Sequence, residues 1–209
     1  MKIAVVSETA AGDKNPDIVL ALSGRGHEII NAGMKKSGET PELQYFHTGL
    51  LTALLLNAER VDLVVGGCGT GQGYFNAAVQ YPGVFCGYLN TPLDAWLWNQ
   101  INGGNCISLC LNQGYGWAGG VNLQLLFDAF FSTERGSGYP EHRKEPQRNS
   151  RKTLVQISTL THLPFEKILE ILPLEVVSPV LNYPGVKELL ELDTISKPEL
   201  RSTLQRMYS

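Results

Sequence analysis

The alternation of short apolar runs with helix-like segments is the feature that most constrains how this chain folds. Over the first two thirds of its 209 residues, each apolar run is followed by a segment with helical periodicity. The runs are IAVVS at 3–7, HEIINAG at 27–33, VDLVVGG at 61–67, VFCGYL at 84–89 and NCISLCLN at 105–112. Because parallel strands need crossover helices, this order predicts an α/β fold: a Rossmann-like three-layer αβα sandwich around a five-stranded parallel sheet.

Three dipeptides predict helix starts inside this alternation. In each, a residue with a capping side chain precedes a proline, which fits the first turn of a helix. They are Asn15-Pro16, Thr40-Pro41 and Thr91-Pro92. The third helix is predicted to run from inside a glycine-rich loop to about Tyr81, and the fifth to span 119–132.

The pattern changes after Ser132. Residues 133–151 are polar, with five arginines or lysines, two prolines and two glycines, and they predict an irregular segment. Beyond them, amphipathic stretches separated by prolines predict several short helices. We therefore expect a Rossmann-like domain over residues 1–133 and a basic loop with a helical C-terminal extension over 134–209.

Charge and hydropathy exclude several classes of partner. The formal net charge of −3 is spread without long blocks of one sign, which argues against nucleic acid. No uncharged apolar stretch approaches the ~18 residues of a membrane-spanning helix, and the first residues lack the apolar core of a signal peptide. We expect a cytoplasmic protein with no membrane partner. The four cysteines have neither C-x-x-C nor zinc spacing, so no metal site is expected.

The stretch VVGGCGTGQGYFNAA at 64–78 places Cys68 at the end of the third predicted strand, directly before a run of glycines. Known phosphate-binding patterns do not fit this run. A P-loop needs lysine and a hydroxyl residue after its last glycine, whereas Gly71 is followed by glutamine and Gly73. A dinucleotide-binding loop belongs after the first strand. A cysteine phosphatase needs an arginine close behind the thiol, whereas the next arginine is Arg135.

A thiol followed by glycines has a simpler use. Glycines leave backbone N–H groups open, and these groups stabilise negative charge at the edge of the sheet where ligands of doubly wound folds bind. Such a site suits attack by Cys68 on a carbonyl or removal of a proton beside one, because each step creates an oxyanion. The loop alone leaves both open, together with an incidental buried cysteine in a tight turn.

An ordered set of short motifs resembles the ribose-5-phosphate isomerase B family, which includes the galactose-6-phosphate isomerase subunits. The resemblance covers about residues 1–133, and its most specific part is Cys-Gly-Thr-Gly-x-Gly after the third strand. Its other parts are MKIAVVS at 1–7, GHEIINAG at 26–33, Tyr45, Ala77-Ala78, Pro82-Gly83-Val84, Thr91-Pro92, and Asn102 with Asn105.

The resemblance implies an aldose–ketose isomerase that works through an enediolate without a metal or an organic cofactor. It implies that Cys68 is the base that moves a proton between two carbons. The enediolate oxygens would be held by the Thr70 hydroxyl and by the amides around three glycines, Gly69, Gly71 and Gly73. Family members are dimers with active sites at the subunit interface, so we expect a homodimer, or a tetramer made of two dimers, that binds a small sugar phosphate.

The chain departs from the family pattern at three places. The family's Ser-Asp-His-Ala-Gly is SETAAG at 7–12, so Glu8 replaces the aspartate that contacts sugar hydroxyls and the histidine is lost. The family's His-Asn before the fifth strand is Ile101-Asn102, which loses the usual ring-opening acid. The arginine expected after the fifth strand is absent from 112–114. We expect Glu8 and Asn102 to orient hydroxyls and count Tyr45 among the substrate-binding residues.

Two explanations fit these losses. In one, phosphate is held by the basic segment 133–151, in which Arg143 and Arg148 are the best candidates because a guanidinium can grip phosphate with two bonds. Together with Arg135 and His142, they fall roughly where the resembled family carries its C-terminal phosphate ligands, and we count His142 among the substrate-binding residues as well. In the other, the substrate is a short acyclic sugar phosphate that needs no ring opening.

The predicted function is an aldose–ketose isomerase acting on a small sugar phosphate. One alternative is a non-catalytic sugar-phosphate-binding or regulatory module of the same fold. Another is a cysteine acyl-transfer enzyme, for which no histidine can be placed beside Cys68. His47, in an apolar stretch, is interpreted as a buried structural imidazole. The C-terminal extension either enlarges the dimer contact or covers the partner's pocket.

Overall fold

The sheet at the centre of the molecule is fully parallel, and the computed structural model describes all 209 residues around it. The strand order is β2-β1-β3-β5-β4. The strands are β1 Lys2–Val6, β2 Glu28–Asn31, β3 Leu63–Cys68, β4 Cys86–Leu89 and β5 Cys106–Cys110. This topology confirms the predicted Rossmann-like α/β fold with five parallel strands.

Ten α-helices connect and cover the strands. The first five are α1 Asn15–Leu22, α2 Tyr45–Asn57, α3 Gln72–Ala78, α4 Pro92–Ile101 and α5 Gly119–Phe131. The others are α6 Lys144–Thr161, α7 Phe165–Ile171, α8 Leu174–Leu181, α9 Val186–Leu190 and α10 Pro198–Met207. None of these helices combines the length and the apolar character needed to cross a bilayer.

Two apolar clusters separate the three layers. Neighbouring residues of β1 alternate between them, because successive side chains of a strand point to opposite faces: Val6 belongs to one cluster and Val5 to the other. The cluster with Val6 holds buried side chains of α2 and α3. The cluster with Val5 holds buried side chains of α1, α4 and α5.

The C-terminal extension shares the cluster that contains Val6. Its buried side chains include Phe165 of α7, Val180 of α8 and Leu200 of α10, all fully enclosed or nearly so. One continuous core therefore joins the extension to the sheet and to α2, and the α7–α10 region is a further layer on that face.

The predicted helix starts had different outcomes. At Thr91 the prediction is confirmed: its Oγ1 accepts from the Asp94 amide at 3.1 Å, and the Asp94 carboxylate accepts from the Thr91 amide at 2.9 Å. α1 does begin at Asn15, but the Asn15 side chain bonds Ser7 instead of capping the helix. The start at Thr40 is wrong, because α2 begins at Tyr45.

The prediction of an irregular segment over 133–151 is wrong for its last eight residues. Residues 144–151 form the beginning of α6, which follows a short 3-10 turn at Glu141–Arg143. Pro146 does not break the helix, because it lies in the first turn, where a backbone N–H has no helical partner in any case.

Candidate active site

Cys68 and Glu8 lie at the carboxyl edge of the sheet, beside its topological switch point. β1 pairs with β3 so that Val6 is opposite Gly66; Cys68 is the last residue of β3, and Glu8 lies two residues after the end of β1. The strand order reverses between β1 and β3, and ligands of doubly wound folds bind in the crevice at such a point. The sequence therefore brings these two predicted site residues to the same place.

The loop after Cys68 is held by bonds that point inward. The Gly71 amide donates to the Cys68 carbonyl at 3.1 Å, and the Gly71 carbonyl accepts from the Ser108 hydroxyl at 2.7 Å. Gly71 has φ +76, and a Cβ there would lie 2.4 Å from the Tyr88 ring. Only glycine fits both conditions. Gly71 therefore shapes the turn, and the expectation that its amide holds substrate oxygens is not met.

Three other amides of the loop donate to no protein atom: those of Gly69, Thr70 and Gly73. They lie within five residues of the Cys68 thiol, and none of the three residues is buried. The Thr70 hydroxyl lies 4.0 Å from the Cys68 sulfur and accepts from the Gln72 amide at 3.3 Å. The thiol therefore shares one short loop with a hydroxyl and with amides that are not paired inside the chain, and groups of these kinds can stabilise an oxyanion.

Tyr45 joins this group from the first residue of α2. A Cβ added to Gly73 would lie 3.2 Å from the Tyr45 ring, so the ring rests against the glycine that carries one of the unpaired amides. Tyr45 is half-exposed. Its ring therefore forms a wall of the candidate site.

Glu8 is a buried carboxylic acid without a cationic partner. It is 2% exposed, forms no salt bridge, and its Oε1 atom has no hydrogen-bond partner. Burial raises the pKa of Glu8 above its ordinary value, and a hydrogen bond from the Ala10 backbone opposes this shift. Burial therefore makes the ionised form of Glu8 less favourable than it is for an exposed carboxylate.

Asn112 was missed by the sequence analysis, although it follows the fifth strand and so had to lie at this edge. Its backbone amide donates to the Gly69 carbonyl at 2.9 Å. Its side-chain amide donates to the Ala10 carbonyl at 2.6 Å. One residue thus ties the loop after Cys68 to the loop that carries Glu8.

The other predicted residues lie at the opposite edge of the sheet. A cavity of about 640 Å³ opens there between α6 and the starts of β4 and β5, and Asn102 and Arg143 line it. Within one chain, Asn102 is therefore not beside Cys68. Arg143 has no side-chain hydrogen bond or salt bridge, and no aspartate or glutamate lines the cavity.

Arg148 and His142 do not line this cavity. Arg148 instead forms an exposed salt bridge with Glu145, at 3.3 Å. The structure therefore does not bring Arg148 together with Arg143. Arg151, two helical turns after Arg143, was missed and does line the cavity, where it donates to the Ile101 and Gly136 carbonyls.

The α6 helix forms one wall of the cavity, and its side chains are unusually exposed. None of the 18 residues of α6 is buried. Its apolar side chains are at least half-exposed at Leu154 and Val155, and Leu160 is 84% exposed. This helix therefore presents an apolar face that its own chain does not cover.

A thiol and unpaired amides at the switch point of a doubly wound sheet define a class of α/β proteins that handle small polar ligands. Within that class, residues 3–147 match the model of the family described as Ribose/Galactose Isomerase, and the chain belongs to this family. The description of the family indicates that this chain is an isomerase. No curated protein matches the chain.

Two solved structures are similar over the whole chain. One is a 4-deoxy-L-threo-5-hexosulose-uronate ketol-isomerase in complex with a tartrate, with 33% identity, a TM-score of 0.93, and coverage of 100% of this chain and 99% of that chain. The other is a ribose-5-phosphate isomerase from Vibrio parahaemolyticus, with 34% identity, a TM-score of 0.92, and 99% coverage of both chains.

A third structure is similar over a shorter range. The ribose 5-phosphate isomerase from Thermotoga maritima is 25% identical, with a TM-score of 0.56, and covers 70% of this chain and 96% of that chain. The first two similar proteins therefore extend over the C-terminal extension of this chain, whereas the third matches a shorter part of it.

Proposed function

We propose that this isomerase interconverts an aldose and a ketose of a small anionic sugar, with a sugar phosphate as the first candidate substrate. The observation that carries the proposal is the Cys68 thiol beside the unpaired amides of Gly69, Thr70 and Gly73. A proton on a carbon next to a carbonyl is removed readily only if the resulting enediolate is stabilised, and unpaired amides close to the thiol in the sequence support such a role.

In the proposed reaction, the Cys68 thiolate takes a proton from the carbon beside the carbonyl, and the electron pair moves onto the carbonyl oxygen. The loop amides hold the enediolate oxygens. The Thr70 hydroxyl, 4.0 Å from the sulfur, is placed to pass a proton between those oxygens. Cys68 then returns its proton to the neighbouring carbon. Glu8, at the same edge of the sheet, orients the substrate hydroxyls.

We further propose that the working site combines two copies of the chain. Asn102 and Arg143 lie at the amino edge of the sheet, whereas Cys68 lies at the carboxyl edge, so one chain does not unite them. In a homodimer that packs the uncovered face of α6 against its partner, the cavity of one subunit can receive the catalytic edge of the other. The anionic group of the substrate would then meet the unpaired Arg143 guanidinium.

A second candidate substrate is an unphosphorylated sugar acid. The structure that matches this chain over its full length with a TM-score of 0.93 is a uronate ketol-isomerase. A cavity that has cationic side chains and no acidic residue accepts a carboxylate as well as a phosphate. The substrate classes therefore differ only in the group that Arg143 would hold.

The test is a panel of four- to six-carbon sugar phosphates, with ribose 5-phosphate among them, compared with 4-deoxy-L-threo-5-hexosulose-uronate. Turnover and deuterium uptake from solvent at the substrate carbon are measured for the wild-type protein and for Cys68→Ala. We expect one substrate to be converted and Cys68→Ala to lower deuterium uptake by about 10²- to 10⁴-fold. Full uptake by Cys68→Ala contradicts the mechanism. Thermal stabilisation without turnover of any substrate supports a binding module instead.

A further inference from the structure

The segment Leu43–His47 holds two parts of the candidate site at once. The Leu43 carbonyl accepts from the Thr9 amide at 2.9 Å, next to Glu8. Two residues further along, the Tyr45 ring rests on Gly73. The positions of the Glu8 loop and of the Tyr45 wall therefore both depend on this segment.

His47 ends the segment and is fully engaged. It is 7% exposed. Its Nδ1 accepts from the Gln44 amide at 3.0 Å, and its Nε2 lies 3.0 Å from the Glu175 carbonyl. Because an amide can only donate and a carbonyl can only accept, these partners assign the proton to Nε2. This confirms the interpretation of His47 as a buried structural imidazole.

Glu175 belongs to α8, so this hydrogen bond joins the C-terminal extension to the first turn of α2. A second connection lies past the other end of α2, where Arg60 donates to the Thr194 hydroxyl at 2.7 Å and to Glu191 at 3.3 Å. The extension therefore forms hydrogen bonds at or near both ends of α2. Only the end with His47 is next to the candidate site.

We propose that the C-terminal extension braces the segment Leu43–His47, and that His47 is the positioning residue through which it places Tyr45 and the Glu8 loop. The proposal rests on the proposed function, because it assigns the extension a role in substrate binding. It differs from a role in the subunit contact, since the brace acts within one chain.

The first test compares His47→Asn with Arg60→Ala. The shorter asparagine keeps an oxygen near Nδ1 for the Gln44 amide but does not reach Glu175. Arg60→Ala removes the bonds to Thr194 and Glu191 past the far end of α2, where other bonds to the extension, such as that from Lys197 to the Asn57 carbonyl, remain. We expect His47→Asn to raise KM by about three- to tenfold with kcat changed less than about twofold, and Arg60→Ala to leave KM unchanged. Equal KM values for the two variants overturn the proposal, even where both lower the melting temperature.

A rescue variant sharpens this comparison. His47→Gln has a longer side chain whose amide nitrogen can donate to the Glu175 carbonyl. We expect the KM of His47→Gln to be lower than that of His47→Asn and close to the wild-type value. A KM as high as that of His47→Asn contradicts a role for the bond to the extension.

The second test is independent of turnover. Hydrogen exchange of the Thr9 amide, which is bonded to Leu43, is measured in the wild-type protein and in both variants. We expect His47→Asn to speed this exchange by about three- to tenfold and Arg60→Ala to leave it unchanged. Faster exchange in a protein that converts no substrate rejects the proposed function while the brace stands, whereas unchanged exchange overturns the brace.

Discussion

The two edges of the sheet carry different kinds of site. At the carboxyl edge, Cys68 and Glu8 are nearly buried, and short hydrogen bonds fix the loops around them. At the amino edge, Asn102 and Arg143 are exposed, the cavity is wide, and its charged side chains are all basic. The first edge holds the thiol loop and the buried acid, whereas the second holds the Arg143 and Arg151 guanidinium groups.

The contrast teaches that one chain keeps the proposed base and the proposed anion-binding group apart. An exposed guanidinium can hold an anion but does not abstract a proton. If the two edges of different chains form one site, one copy supplies the thiol loop and the other supplies the guanidinium.

The largest expected effect comes from separating the edges in two variants that are each strongly impaired below KM. Cys68→Ala and Arg143→Ala are each assayed below KM and then mixed in equal amounts under conditions that exchange subunits. Half of the dimers then contain one intact site, so we expect recovery of up to about a quarter of wild-type activity. Mixing Cys68→Ala with Thr70→Ala, which alters the same edge, is the control and should recover nothing. No recovery in the first mixture rejects a shared site.

The next effect sharpens the description of the cationic edge. Removing the unpaired Arg143 guanidinium should raise KM by about tenfold to a hundredfold, because a charge-assisted hydrogen bond to the substrate is lost. Arg148→Ala is the matched control, since Arg148 forms only an exposed salt bridge with Glu145 and should change KM less than about twofold. Steady-state kinetics of both variants measure this difference. Equal effects would contradict the assignment of Arg143.

The smallest effect concerns the buried acid of the carboxyl edge. Because burial raises the pKa of Glu8 above 4.5, the wild-type protein keeps the full stability of neutral Glu8 below pH 4.5 and loses it as pH rises through the raised value. Glu8→Gln has the same shape and cannot ionise. We therefore expect the two proteins to melt alike near pH 4, and the variant to melt higher near pH 7. A difference that is constant with pH would show that Glu8 does not titrate in this range.

Local patterns predicted most of the fold. Five apolar runs became the five strands, and the Thr91 cap formed as predicted, because its hydrogen bonds join residues three positions apart. The start at Thr40 failed, because the chain runs on to Leu43, whose carbonyl and amide bond the distant Thr9 and Met34. Residues 144–151 were mistaken for a loop. They are polar and contain a proline, and because this helix buries none of its side chains, they lack the apolar periodicity that predicts a helix.

The candidate site divides in the same way. Cys68, Thr70 and the free amides belong to one short loop, so its sequence was enough to predict them. Asn112 and Arg151 were missed because their partners lie far away in the chain, at Ala10 and Ile101. The order of the strands, which puts Glu8 next to Cys68, is likewise a property of the whole sheet.

The uncovered apolar face of α6 makes the position of Arg143, the residue just before this helix, depend on a partner subunit. α6 has no fully buried side chain and forms few bonds to the rest of its chain, such as those of Arg151 to the Ile101 and Gly136 carbonyls, so a partner over its apolar face would add much of the free energy that orders it. On dilution of the proposed dimer, the proposed anion-binding residues would lose their order before the sheet melts. The affinity for substrate would then fall as the protein concentration falls, while the thiol and its loop stay in place.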